Sequence, residues 1–241
     1  MMFPSGPQAV SVVIPCLNEE EAIGPLVVEI LVEGVDEVVV VDNGSTDRTA
    51  EAARAAGARV VAEPTAGYGR ACAAGLAAIR SDCDIVCYLD GDGSDIPAFI
   101  PAITTPIAAG TADFVMGSRL KGKREPGSMT PQQLLAGHIA GFLMKQAYDV
   151  SFSDMSPFRA MRPSGLRALR MAERTYGWNL EMQMKAAAGG LRILEVPVDH
   201  RCRRGGVSKV SGNVVAGLKA AYKIATTFLR LRSTLRRESV G

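Results

Sequence analysis

Two aspartates separated by one glycine, Asp90-Gly91-Asp92, follow the run Asp84–Leu89, which is apolar after its first residue. Carboxylates so spaced can share a hard divalent cation with the oxygens of a diphosphate, the usual arrangement for Mg²⁺ or Mn²⁺. A second polar cluster, Asp42-Asn43-Gly44-Ser45-Thr46-Asp47, closes the run Val38–Val41, and a third, Asn18-Glu19, follows Val10–Ile14 and Pro15. Cations gather elsewhere. Arg119, Lys121, Lys123 and Arg124 share one segment, and Arg201, Arg203, Arg204, Ser208 and Lys209 another. Such groups suit a phosphate.

The elements between these clusters alternate in period. Val10–Ile14, Val38–Val41, Arg59–Ala62 and Asp84–Leu89 read as strands, the first two buried on both faces. Helical spacing is predicted for Glu19 to about Glu33, Asp47–Ala56 and Gly69–Arg80. Strand–helix alternation with short connections predicts a parallel, doubly wound sheet. Ligands bind such sheets at the carboxyl ends of the strands, where the three polar clusters fall. Further along, strands are expected at Asp113–Met116, Phe158–Met161 and Leu191–Val196, with helices at Pro131–Tyr148, Pro163–Met171 and Trp178–Ala188.

A chain of 241 residues with 47% apolar and 22% charged residues has ample material for a core, which excludes a disordered or disulfide-stapled chain. The net charge of +2 conceals a division. Residues 1–200 carry 17 basic and 24 acidic side chains, net −7, and residues 201–241 carry 10 and 1, net +9. A basic tail on an acidic body predicts an anionic partner near the C-terminus. Five cysteines with no CxxC pair predict reduced thiols and a cytoplasmic setting. The start, MMFPSGPQ, predicts no cleaved leader, and no apolar run approaches the roughly 18 residues of a spanning helix. With 5% aromatics and no stacking residues interleaved in the basic segments, a nucleic-acid-binding module is a remote alternative.

Asp42–Asp47 resembles the strand-two signature of family 2 glycosyltransferases. Val12-Val13-Ile14-Pro15 with Asn18-Glu19-Glu20 resembles the family's opening, Gly67-Tyr68-Gly69 its glycine-rich turn and Asp90-x-Asp92 its metal motif. Gly117-Ser118-Arg119-Leu120, Asp154-x-Ser156-x-Phe158-Arg159 and Arg201–Lys209 resemble the branch containing the dolichyl- and polyprenyl-phosphate mannose and glucose synthases. The resemblance runs from about residue 9 to 225. It implies a GT-A-like fold with a mainly parallel, Rossmann-like sheet: a domain over 9–211, with a nucleotide-sugar half (9–118) and an acceptor half (119–211), followed by a basic amphipathic helix and tail (212–241).

The resemblance also implies roles. Asp42 would bind the nucleotide base, Asp90 would lie near the ribose, and Asp92, with Asp90, would hold the metal. Pro15, Asn18, Glu19 and Gly44 would complete the nucleotide site with Gly67, Gly69 and Arg201. Asn43 stands where the family usually has a second Asp, which removes one acceptor near the base, and Pro157 stands where the related synthases have Gly. The implied reaction is an inverting transfer of a hexose from a nucleoside-diphosphate sugar, UDP-glucose ahead of GDP-mannose. A polyprenyl-phosphate acceptor is already anionic and needs cationic clamping by Arg119, Ser208 and Lys209. A soluble hydroxyl acceptor, the alternative, needs a general base, for which Asp154 and Glu181 are the candidates. From the residues alone, Glu181 reads equally as a surface ion pair with Lys185 at i+4. His138 is expected to be structural and His200 solvent-facing.

From Asn213 to Arg232, Val214, Leu218, Ala221, Tyr222, Ala225, Phe228 and Leu229 recur at helical spacing beside Lys219, Lys223, Arg230 and Arg232. Such a helix can lie peripherally on the inner face of the membrane. The alternative is packing on its own domain or in a homo-oligomer.

Overall fold

The computed structural model describes residues 8–205 and 214–238, with side chains in the last segment at 222 and 224–235. Seven strands form one sheet in the order β3-β2-β1-β4-β6-β5-β7. They are β1 (Val10–Cys16), β2 (Glu37–Asp42), β3 (Arg59–Ala62), β4 (Ile85–Tyr88), β5 (Phe114–Ser118), β6 (Arg159–Met161) and β7 (Ile193–Pro197). Continuous β-branched runs make β1 and β2 strands that are buried on both faces, as parallel sheets require. Parallel pairing joins β1 to β2 and β4, β2 to β3, and β5 to β7.

Strand β6 runs antiparallel to both β4 and β5. That reversal has a functional consequence. Strands β1, β2, β4, β5 and β7 all end on one edge of the sheet, and β6 begins there. The loop before β6, which holds Asp154 and Ser156, therefore joins the segments that follow the other strands.

Helices cover both faces. Leu26 and Ile30 of α1 (Glu20–Val32), Ala53 of α2 (Thr49–Ala55) and Ile103 and Ile107 of α4 (Ile100–Ala108) bury against Val12, Ile14 and Val40. The other face packs against α3 (Tyr68–Ala78), α5 (Pro131–Tyr148), α6 (Pro163–Ala168) and α7 (Trp178–Ala188). Thr130 opens α5 with a capping box: its hydroxyl accepts from the Gln133 backbone N–H, and the Gln133 side chain accepts from the Thr130 N–H.

The expected strands and helices are found, with ends shifted by a few residues. Helix α4 is an addition, invisible in the pattern because Pro97 opens the 3-10 turn before it and Pro101 and Pro106 lie within it. Two of these prolines occupy helix starts, where a missing N–H costs little.

The C-terminal helix α8 (Val214–Glu238) packs on α5 and α7. Phe228 and Leu231 are buried in the core of that face, and Ile224 and Leu235 lean against it. The apolar residues that recur at helical spacing thus divide: Phe228 faces the protein, while Tyr222 (74% exposed) and Leu229 (62%) face outward. Val214, Leu218 and Ala221 have side chains outside the described set. Among the described residues no helix is long and apolar enough to cross a membrane.

Candidate active site

Two strand ends meet first. Cys16 of β1 pairs with Asp42 of β2, and Pro15 with Val41, so the segments after both strands leave the sheet side by side. Asn18, in the left-handed region (φ 54°) that asparagine tolerates, donates its backbone N–H to Ser45 Oγ at 3.0 Å. Its side-chain Oδ1 accepts from the Thr46 N–H at 2.8 Å. The Glu19 N–H donates to Thr49 Oγ1 (2.8 Å), and Asp42 Oδ1 accepts from the Ser45 N–H (2.9 Å). Gly44 (φ 86°) supplies the turn between them. The clusters of β1 and β2 are therefore one hydrogen-bonded unit.

Beyond β4, Asp92 Oδ1 accepts from the backbone N–H (2.9 Å) and hydroxyl (2.6 Å) of Ser94. Its Oδ2 lies 3.8 Å from the Arg203 guanidinium. Asp90 Oδ1 is shielded from solvent without a hydrogen-bond partner. Burial first, then the neighbouring carboxylates of Asp92 and Asp95, push the Asp90 carboxyl up to about 8, against the pull of Arg119. A shielded, unpartnered carboxylate oxygen crowded by two more carboxylates calls for a cation, and an all-oxygen donor set suits a hard one. Among the described residues no group of three or more His, Cys, Asp or Glu side chains could hold a metal by itself. Asp90 and Asp92 can thus supply part of a coordination shell, the remainder falling to ligand or water oxygens.

The third acid of this loop escaped the sequence reading. Asp95 is 1% exposed, accepts from the Asp90 N–H with Oδ2 (3.3 Å), and has an unpartnered Oδ1 at 3.7 Å from His200 Nδ1. His200 is buried, not solvent-facing, because residues 95 and 124 bridge to it through their backbones. The spacing Asp92-x-x-Asp95 was the available signal.

Four of the arginines in these clusters are occupied. Arg119 grips Asp154 with two N–H···O bonds of 2.8 Å and adds its backbone N–H at 3.0 Å. Burial alone would raise Asp154, but Arg119 outweighs it and holds the carboxyl below its ordinary range. Arg201 donates to Gly93 O (2.6 Å) and Glu29 (2.7 Å), Arg204 pairs with Glu29, and Arg203 bridges Glu19 (3.1 Å) towards Asp92. The 198–205 segment is thereby strapped along α1, from Glu19 before its first residue to Glu29, and over the Asp90–Asp95 loop. Ser208 and Lys209 lie outside the described residues.

Glu181 is fully buried, and both of its oxygens are engaged. They accept from the backbone N–H groups of Ala172 and Glu173 at 2.8–3.0 Å and pair with Lys185 at 3.1 Å. The i+4 pair is real but lies inside the protein, where it clamps the loop before α7. That loop presses on the glycine turn: a Cβ at Gly67 would strike the Arg174 carbonyl oxygen, and one at Gly69 that of Glu173.

A mostly parallel sheet with acids at its carboxyl edge is the GT-A-like architecture that the chain shares with solved structures. The model of glycosyl transferase family 2 matches residues 11–170, and the chain belongs to that family. It is 38% identical, over 86% of this chain and 91% of the relative, to an uncharacterized glycosyltransferase of Mycobacterium tuberculosis. It is 35% identical to a dolichyl-phosphate hexose transferase of Haloferax volcanii (81% and 84% covered). It is 32% identical to an undecaprenyl-phosphate mannosyltransferase of Micrococcus luteus (84% and 88%). Among solved structures, the glucosyl-3-phosphoglycerate synthase of M. tuberculosis with Mn²⁺, UDP and phosphoglyceric acid superposes with a TM-score of 0.70 at 26% identity, covering 93% of this chain and 78% of that one.

Proposed function

We propose that this glycosyltransferase moves a hexose from a nucleoside-diphosphate sugar, UDP-glucose first and GDP-mannose second, to polyprenyl phosphate with inversion. The observation that carries this reading is the convergence, on one sheet edge, of the Asp42 and Asp90–Asp92 acids with the arginines of 201–204. Asp42 offers a carboxylate to base N–H groups and Asp90 to ribose hydroxyls. Asp90 and Asp92 would hold Mg²⁺ or Mn²⁺, which supplies positive charge opposite the departing nucleoside diphosphate. Pro15, Asn18, Glu19, Gly44, Gly67 and Gly69 shape the nucleotide end, and Arg201, Ser208 and Lys209 serve the phosphates.

Two lines support the lipid phosphate. Relatives that cover most of both chains carry polyprenyl-phosphate transferase names. The carboxylates suggested as bases, Asp154 and Glu181, are committed to cations and backbone N–H groups, whereas a phosphate oxygen attacks the anomeric carbon without a base. Membrane attachment is peripheral on the cytoplasmic face: α8 exposes Tyr222 and Leu229, and its neighbour α5 exposes Leu135 and Phe142. A soluble acceptor is the rival, favoured by the phosphoglyceric acid bound in the structural neighbour.

The test incubates the protein and Mn²⁺ with radiolabelled UDP-glucose or GDP-mannose, and with polyprenyl phosphate or 3-phosphoglycerate. Label in the organic phase supports the proposal. Label only in a water-soluble product moves the acceptor to the rival, and no transfer from either donor overturns the reading.

A further inference from the structure

Asn43 carries a function that its family-typical replacement, aspartate, could not. The residue is 6% exposed and turned inward. Its Nδ2 donates to the Glu63 and Thr65 carbonyl oxygens, both at 2.8 Å, and its Oδ1 accepts from the Gly67 N–H at 2.8 Å. Both amide protons and the amide oxygen are therefore spent on the 63–67 segment, which leads from β3 into the glycine turn. On its far side that turn has no slack, since Gly67 and Gly69 already lie against the carbonyls of 173 and 174 and the Arg70 N–H donates to Arg174 O at 3.2 Å. The turn's one side chain, Tyr68, stacks on Tyr176 with ring centroids 6.2 Å apart.

We infer that Asn43 is a positioning residue for the nucleoside-diphosphate sugar, setting the height of the Gly67–Gly69 turn above Asp42 and Gly44 through its amide. The inference rests on the proposed donor site at the end of β2. Its chemical content is polarity. An aspartate at 43 has the same shape but no proton to give, and would set a carboxylate against two carbonyl oxygens at hydrogen-bond distance. Only the nucleoside end should feel the change, because Asp92 and the arginine strap make no contact with the amide.

The experiment compares wild type, Asn43→Asp and Asn43→Ser in steady-state kinetics with UDP-glucose and GDP-mannose. It adds calorimetric binding of inorganic pyrophosphate with Mn²⁺ and thermal melting. The expected result for Asn43→Asp is a donor KM raised about tenfold or more, with kcat within about threefold and pyrophosphate binding within about twofold. Asn43→Ser, which loses the contacts without adding charge, should lie between the two and serves if the aspartate variant does not fold. Donor KM at the wild-type value in either folded variant, whatever the loss in Tm, overturns the inference. So does an equal loss of pyrophosphate binding. If wild type binds no nucleotide sugar, the donor site itself is refuted and this inference falls with it.

Discussion

Replacing Asp90 by asparagine should make the ligand-free protein more stable at pH 8 while destroying its use. In the folded chain the carboxyl keeps its proton up to about pH 8, against an ordinary value of 3.8. Unfolding between these limits releases a proton, so the wild type has its full Asp90 contribution below about pH 4 and loses it progressively as pH rises to 8. The gap corresponds to about 5 to 6 kcal/mol at ~1.36 kcal/mol per pH unit. Part of it is repulsion that Asp92 and Asp95 share and would redistribute, so about half, ~3 kcal/mol, is expected from the substitution. For a chain of this size that is a rise of about 6–12 °C in Tm at pH 8. Asparagine keeps the shape and removes the titration, so wild type and variant should converge near pH 4. Urea or thermal unfolding at pH 4, 6 and 8, without divalent cation, reads the difference directly. A variant no more stable than wild type at pH 8, or an advantage unchanged between pH 4 and 8, would refute the assignment of the strain to this carboxyl.

Arg119→Ala should cost about 3–5 kcal/mol in urea unfolding at pH 7, because it strands the Asp154 charge at 1% exposure. The intact pair's contribution is present above Asp154's ordinary 3.8 and falls away as pH drops through its lowered value, so the gap between variant and wild type should narrow in acid. Glu181→Gln keeps one acceptor oxygen for the Ala172 and Glu173 N–H groups and loses the charge opposite Lys185. A destabilisation of about 1–3 kcal/mol is expected, with kcat reduced less than about tenfold. A general base would lose roughly 10²–10⁴ in kcat, and a loss of that size would return Glu181 to the chemistry.

The sheet and its reactive edge were legible because strands buried on both faces must be written as unbroken apolar runs. The first polar residue after each run marks the edge. Asp42 and Asp90 are found that way without any knowledge of contacts. What stayed hidden is what pairs across distance. Arg119 and Asp154 lie 35 residues apart, and nothing local tells that each exhausts the other. Glu181 displayed its i+4 lysine, but its stronger partners are backbone N–H groups of a preceding loop, which have no letter in the sequence. His200 read as a loop residue because a basic neighbourhood usually means solvent; two isolated backbone bridges bury it instead. The tail helix stayed ambiguous for a different reason. A period of 3.6 says that one face is apolar but not what covers it, and here Phe228 is covered by the protein itself.

The charge division has a consequence for how ligands can bind. In the ligand-free chain the described arginines of the basic C-terminal segment that lie nearest the acids are matched internally: Arg201 and Arg204 with Glu29, Arg203 with Glu19 and towards Asp92, Arg230 with Glu173. The burial that would raise Glu29 is outweighed by Arg201 and Arg204, which hold it below its ordinary range, so this carboxylate is stabilised as an anion. A phosphate at the strap would therefore have to replace carboxylates at arginines already satisfied, and a divalent cation at Asp92 would displace a guanidinium 3.8 Å away. Neither exchange gains the full energy of an isolated ion pair, since each breaks one pair to make another. Made together they would balance in part, because Arg203, still paired with Glu19 but no longer drawn to Asp92, could turn to the diphosphate that the metal brings. Metal and nucleotide should for that reason bind more tightly in each other's presence than either does alone.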